Sequence, residues 1–216
     1  MAATHDIPTV LEAALASNFL SSATDDDDGG GDSWAHFYDL AALDTTLESL
    51  SSSFPSHFLH TFAVKSNPLA STMKIIASHN VGMECASFNE VLHSINAGCP
   101  NSNVVFDSPC KTLKELRQSL ELGILINCDN FDELERVAFL IERGSYDAIQ
   151  VGLRINPLLG LGTIEALSVS TTDSKFGIPL NNENRQRVLD NFQTYDWLTG
   201  LHSHGKFLVC VCSGTL

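Results

Sequence analysis

Four short apolar runs begin at positions 62, 82, 103 and 124, a step of 20 or 21 residues. Between them lie stretches with apolar residues at helical spacing. Leu69, Met73 and Ile76 share one face, as do Phe88, Val91, Leu92 and Ile95. Leu113, Leu116 and Leu120 mark a third stretch, and Leu134, Val137, Ala138 and Ile141 a fourth. Strand-length runs alternating with amphipathic helices are the pattern of parallel βα units. So short a step leaves a crossover no room to change direction, which favours sequential neighbours in a barrel. The alternative, a doubly wound open sheet, would be expected to carry a glycine-rich nucleotide turn after its first strand. No such turn is present.

The strands are predicted at 62–65, 82–86, 103–107, 124–127, 149–155 and 198–202, and glycines 98, 123 and 144 fall where helix C-caps belong. The expected fold class is therefore α/β, a (β/α)8 TIM-type barrel that is incomplete, with about six of its eight strands. Ahead of it, 7–20 is predicted as a short helix, and Asp25 to Asp32 as an acidic, glycine-rich flexible linker. That linker lacks the spacing and distal glutamate of a calcium loop. The organisation expected is a helix and linker over 1–33, a partial barrel over 34–204 and an aberrant tail over 205–216.

The 216 residues, 44% of them hydrophobic, suffice to bury a sizeable core. Twelve Lys and Arg stand against 26 Asp and Glu, a net charge of −14, which argues against nucleic acid or an anionic membrane as partner. No apolar run is long enough for a membrane span, and 1–24 carries no lysine or arginine of the kind targeting signals use. The six cysteines show no zinc-type pairing. Cys85, Cys99, Cys110 and Cys128 fall in core-like segments, so reduced thiols, a cytoplasmic location and no metal site are expected.

In a barrel of this kind reactive groups collect at the C-terminal ends of the strands. Those ends carry Lys65, then Glu84 and Ser87, Asp107, Asn127, Arg154 with Asn156, and His202 with His204. Lys65 has an apolar run behind it, and a lysine so placed sheds its proton more easily, which makes it a candidate Schiff-base amine. Singly, each residue has a plainer reading: a surface lysine, a strand-end carboxylate, a salt-bridging arginine, a packed histidine. Together they form a polar rim holding an amine, a carboxylate, a guanidinium and an imidazole, a combination that suits a site.

Six motifs along this rim resemble, in order, those of the pyridoxal 5'-phosphate-dependent decarboxylases with the alanine-racemase-like barrel. They are Phe62-Ala63-Val64-Lys65-Ser66-Asn67-Pro68, Gly82-Met83-Glu84-Cys85-Ala86-Ser87 with Glu90, and Val105-Phe106-Asp107-Ser108-Pro109-Cys110-Lys111. Leu153-Arg154-Ile155-Asn156-Pro157, Ser174-Lys175-Phe176-Gly177-Ile178 and Gly200-Leu201-His202-Ser203-His204 follow. The last three are more similar to diaminopimelate decarboxylase than to ornithine decarboxylase. The resemblance implies that Lys65 holds pyridoxal 5'-phosphate and that His204 lies flat on its ring. It also implies that Glu84 stands near the ring, that Arg154 orients the carboxylates, and that Ser87 belongs to the cofactor site. A small amino-acid substrate and a homodimer of the full-length protein are implied as well.

The resemblance stops at His204, where the family continues with an aliphatic residue, Gly, Ser and Gln. The phosphate-contacting serine, the glycine-rich phosphate loop, the acidic partner of the pyridine nitrogen and the C-terminal β domain are all missing. Gly205-Lys206 can be encoded across a splice-donor-like GTAAA, so residues 205–216 are expected to be intron read-through or a mispredicted gene end. An abundant mature transcript encoding the same tail would refute that. Such a chain is expected to bind the cofactor weakly and to be inactive alone. The competing expectation is a non-catalytic pyridoxal-binding or regulatory homologue acting through heterodimer formation.

Overall fold

A computed structural model describes residues 7–20, 35–158 and 174–204, and the backbone of 209–213. The acidic linker and the remainder of the tail lie outside the described residues. The chain divides into two compact units, Met1–Pro55 and Ser56–Leu216.

The first unit holds two helices, α1 (Ile7–Ala16) and α2 (Leu40–Ser52). α1 ends earlier than the predicted 7–20. The Ser17 hydroxyl donates to the Ala13 carbonyl at 2.7 Å, and Asn18 takes a left-handed φ of 57°, which turns the chain out of the helix. α2 was not anticipated from the apolar pattern. It starts where Asp39 Oδ1 accepts the Ala42 N–H at 2.9 Å, a side-chain N-cap.

The second unit is a βα array. Its strands are β1 (Thr61–Ala63), β2 (Gly82–Cys85), β3 (Val104–Phe106), β4 (Leu125–Cys128) and β5 (Gln150–Asn156). After them come β6 (Ile178–Pro179), β7 (Leu198–His204) and β8 (Val209–Ser213). The sheet order is β1-β2-β3-β4-β5-β7-β8, with the two-residue β6 also on β5. All pairings are parallel except β7 with β8, which is antiparallel. Six consecutive parallel strands of an incomplete barrel thus match the six expected. β6 and β8 are additions, and β8 falls within the stretch predicted to be aberrant.

Helices α3 (Ala70–Ser78), α4 (Phe88–Asn96), α5 (Leu113–Leu122) and α6 (Phe131–Arg143) fill the crossovers between successive strands, and α7 (Asn182–Thr194) precedes β7. Their inner faces bury Met73 and Ile76, Val91, Leu116 and Leu120, and Leu134, Val137 and Leu140. A continuous cluster joins α5, α6 and α7 to β4, β5 and β7. Leu69, Leu92 and Leu113, assigned to those faces by spacing, are instead exposed. Leu69 precedes α3 as its N-cap, and Leu113 is the first residue of α5, so neither has a full turn beneath it. Of the glycine caps, Gly123 ends α5 in the left-handed region (φ 65°), but Gly144 is extended (φ −112°).

The polar ends of the strands double as helix starts. Ser87 caps α4, accepting the Glu90 N–H at 3.3 Å, and Thr112 with Glu115 forms a capping box on α5. Asn130 Oδ1 caps α6, accepting the Glu133 N–H at 2.9 Å. Residues that punctuate the chain therefore stand at the mouth of the barrel, where the strands end and the helices begin.

Candidate active site

The strand register aligns the candidate residues. Ala63 pairs with Glu84, Cys85 with Phe106, and Arg154 with His202. Successive side chains alternate across a sheet, so His202 and His204 share a face. The neighbouring layer inside the barrel is tight, because a Cβ on Gly152 would collide with Asn127 Oδ1. Asp107 continues from β3, its N–H donating to the Cys85 carbonyl at 2.9 Å.

Lys65 does not end a strand, as its apolar context suggested. β1 stops at Ala63, and Lys65 is an exposed residue in the 3-10 turn Val64–Ser66. Two contacts make the turn. The Ser66 hydroxyl donates to the Ala63 carbonyl at 2.7 Å, and the Asn67 N–H donates to the Val64 carbonyl at 3.1 Å. Pro68 then forces Asn67 into extended backbone. A hydrogen bond from His93 Nε2 to the Pro68 carbonyl, 2.7 Å, pins the turn to α4.

Arg154 is the hub of the buried part of the site. Its Nη1 lies 3.3 Å from Asp129 Oδ1 and 3.8 Å from Asp107 Oδ2, and its guanidinium stands 4.9 Å from the Phe176 ring centre. The Gly177 N–H also donates to Asp129 Oδ1, at 3.2 Å. His202 Nδ1 approaches Asp107 Oδ1 to 3.2 Å, and both side chains are buried.

One guanidinium serves two carboxylates, and they respond differently. Burial pushes the Asp107 carboxyl up, but His202, Arg154 and Lys111 outweigh it and hold it below its ordinary value. At Asp129 burial wins over Arg154 and the Gly177 N–H, and the carboxyl is raised. Glu84 is raised as well, by burial first, with the nearby Lys65 charge pulling the other way. The half-buried His204 is lowered, first by burial and then by the positive charge of Arg154 and of His202. Lys65 in the turn after β1, Glu84 near the end of β2 and His204 at the end of β7 stand at the same end of the parallel strands.

Of the residues singled out by sequence, Lys65, Glu84, Asp107, Arg154, His202 and His204 come together. Ser87 is exposed and engaged in capping α4. Asp129 went unrecognised although it holds Arg154, as did the pair formed by Lys111 and Glu133. Lys111 Nζ lies 2.9 Å from Glu133 Oε2, and both side chains are fully buried. A charge inside a polar motif, followed by a charge at the third position of a helix, gives no signal of such a pairing.

The family model for the pyridoxal-dependent decarboxylases, pyridoxal binding domain, matches residues 40–205. The chain belongs to the pyridoxal-dependent decarboxylase family. The diaminopimelate decarboxylase of Bacteroides thetaiotaomicron is 31% identical over 159 residues, 72% of this chain and 40% of that protein. That of Zymomonas mobilis is 34% identical over 118 residues, 54% of this chain and 28% of that protein. Among solved structures, the diaminopimelate decarboxylase of Helicobacter pylori complexed with L-lysine has a TM-score of 0.69 at 23% identity, covering 78% of this chain and 43% of that one. The arginine decarboxylase of Paramecium bursaria Chlorella virus has a TM-score of 0.55 at 22% identity, covering 76% of this chain and 42% of that one. These likenesses show the barrel fold. The chain spans less than half the length of these relatives.

The family's cofactor is pyridoxal 5'-phosphate, and the residues present fit its aldehyde and its ring. An aromatic aldehyde needs a primary amine, a flat uncharged face and a nearby carboxyl. Lys65 is exposed at the rim, and the lowered His204 favours the neutral imidazole. Glu84 feels the charge of Lys65. Among the described residues no group of three or more His, Cys, Asp or Glu side chains is arranged to hold a metal ion.

Proposed function

We infer that the whole protein removes the α-carboxyl group of a small amino acid carrying a second basic group. The substrate read first is meso-diaminopimelate, with lysine as product; ornithine and arginine stand behind it. The match of residues 40–205 to this family carries this reading, supported by Lys65, Glu84 and His204 at the same end of the parallel strands. The diaminopimelate decarboxylases among the relatives support the choice of substrate.

Each residue has a task. Lys65 Nζ would hold the cofactor's aldehyde, and its exposed turn lets the same amine withdraw and return a proton to the substrate carbon. His204 would set the tilt of the bound ring with its flat, neutral imidazole. The raised Glu84 carboxyl retains a proton more readily than a solvated one and can share it with the ring's edge. Arg154 keeps Asp107 and Asp129 from drifting, and Ser87 offers a hydroxyl at the start of α4. When bound, the cofactor supplies the electron sink for the carbanion left by departing carbon dioxide. The family resemblance further suggests a cytoplasmic homodimer, which sedimentation of the purified protein would test.

Adding pyridoxal 5'-phosphate should give a visible absorption band that disappears in Lys65→Ala. Carbon dioxide release is then assayed on meso-diaminopimelate, ornithine, lysine and arginine. A folded chain with no band overturns the cofactor assignment. A band with no turnover of any of the four leaves a pyridoxal-binding protein without this chemistry.

A further inference from the structure

Behind the rim, and touching none of Lys65, Glu84 or His204 by any hydrogen bond, lies the fully buried pair of Lys111 and Glu133. The ammonium of Lys111 has three protons and three acceptors: the Ser108 carbonyl at 2.7 Å, the Asn127 carbonyl at 2.7 Å and Glu133 Oε2 at 2.9 Å. Glu133 Oε2 in turn accepts the Asp129 N–H at 2.8 Å. The Lys111 carbonyl accepts from Arg136 Nη1 at 3.0 Å, which fixes the backbone from which the side chain springs.

The acceptors are informative by their places in the chain. Ser108 follows Asp107 directly, Asn127 stands two residues before Asp129, and Glu133 reaches back to the backbone of Asp129 itself. A single ammonium therefore ties the turn after β3 to β4 and, through Glu133, to Asp129 in the turn after β4. Asp107 and Asp129, one on each turn, are the two carboxylates that Arg154 bridges.

We propose that Lys111, clasped by Glu133, is a positioning residue that sets the spacing of Asp107 and Asp129, and thereby the orientation of Arg154 and of His202 beside Asp107. The consequence for the cofactor rests on the function proposed above; the consequence for Arg154 does not. A compact ammonium meets three acceptors arranged around a point, whereas the flat fork of a guanidinium cannot reach the same three. Charge alone is not the requirement, so Lys111→Arg does not replace the native side chain.

The test uses the full chain with two variants. In Lys111→Met/Glu133→Leu both charges leave together and similar volume remains, the change that buried ion pairs tolerate best in folding. Lys111→Arg keeps the charge and loses the geometry. The first readout needs no cofactor: the side-chain nitrogen resonance of Arg154, which is single and shielded from exchange when the guanidinium is clamped. It should broaden or exchange faster in both variants, with the double variant still unfolding in one cooperative thermal transition, which shows that it is folded. The second readout is the dissociation constant for pyridoxal 5'-phosphate from the visible band, expected to weaken by about tenfold or more, the scale on which outer supports of a bound group act. An unchanged Arg154 resonance in the folded double variant overturns the proposal, and so does full recovery of that resonance in Lys111→Arg. If the wild-type chain gives no visible band, the proposed function fails, while the Arg154 readout still decides the role of Lys111.

Discussion

His204 is the residue whose protonation has the clearest consequence. Burial and the positive charges of Arg154 and His202 lower its pKa in the folded chain, so folding favours the neutral ring. A depressed basic group contributes stability that is present above its unfolded value, about 6.5, and lost as pH falls through the folded one. The unfolding midpoint should therefore drop as pH falls below about 6.5, and His204→Gln should shrink that drop. An unaltered profile in the variant would assign the loss to other groups. Thiol chemistry separates at the same scale. Burial pushes Cys85 and Cys128 up to about 12, while Cys110 is exposed, contrary to its core-like sequence context. A thiol reagent at neutral pH should label Cys110 promptly, and Cys85 and Cys128 only when the chain opens, as mass spectrometry of the labelled peptides would show.

At the scale of elements, the turns between strands and helices hold the site, and two are open to test. Thr112 closes a capping box with Glu115, whose Oε2 accepts the Thr112 N–H at 2.7 Å. Thr112→Ala should cost about 1 kcal/mol in chemical denaturation, and more than that would mean the cap also supports Lys111 beside it. Gly177 has a φ of 72°, and a Cβ there would lie 3.1 Å from the Ile155 carbonyl carbon and 3.2 Å from Arg154 Cγ. Gly177→Ala should cost about 1–2 kcal/mol from the left-handed backbone alone. It should also disturb Arg154, seen as a shifted guanidinium resonance. The elements themselves were largely legible in the chain. Apolar runs at a constant step announce parallel strands, and the buried faces of α3 to α6 follow their spacing. α2 and α7 were missed. α2 is mostly exposed and α7 is rich in polar residues, so neither carries a strong apolar stripe. Lys65 was assigned to a strand because Val64 continues the apolar run. The turn is instead set by hydrogen bonds of Ser66 and Asn67.

For the whole molecule, the strongest energetic statement concerns the buried pair. Removing Lys111 alone leaves Glu133 charged in a dry interior with Oε1 already unpartnered. Lys111→Met should cost about 3–5 kcal/mol, and Lys111→Met/Glu133→Leu less than that: no lone charge stays buried, although the Ser108 and Asn127 carbonyls and the Asp129 N–H lose their partners. Equilibrium denaturation of the two variants distinguishes them, and equal losses would mean that packing rather than charge dominates there.

Local sequence determined the alternation of strand and helix, the parallel order of six strands and the placing of Glu84, Asp107, Arg154, His202 and His204 at strand ends, with Lys65 in the turn just beyond one. These follow from periodicity and from the rule that a parallel barrel brings all its strand C-termini to one mouth. Only the tertiary structure decided which carboxylates Arg154 would bridge, that Asp107 and Asp129 would be shifted in opposite directions, and that Lys111 would find Glu133, 22 residues away. Those outcomes depend on burial and on distances across neighbouring strands. Both are properties of the packed chain, not of any segment within it.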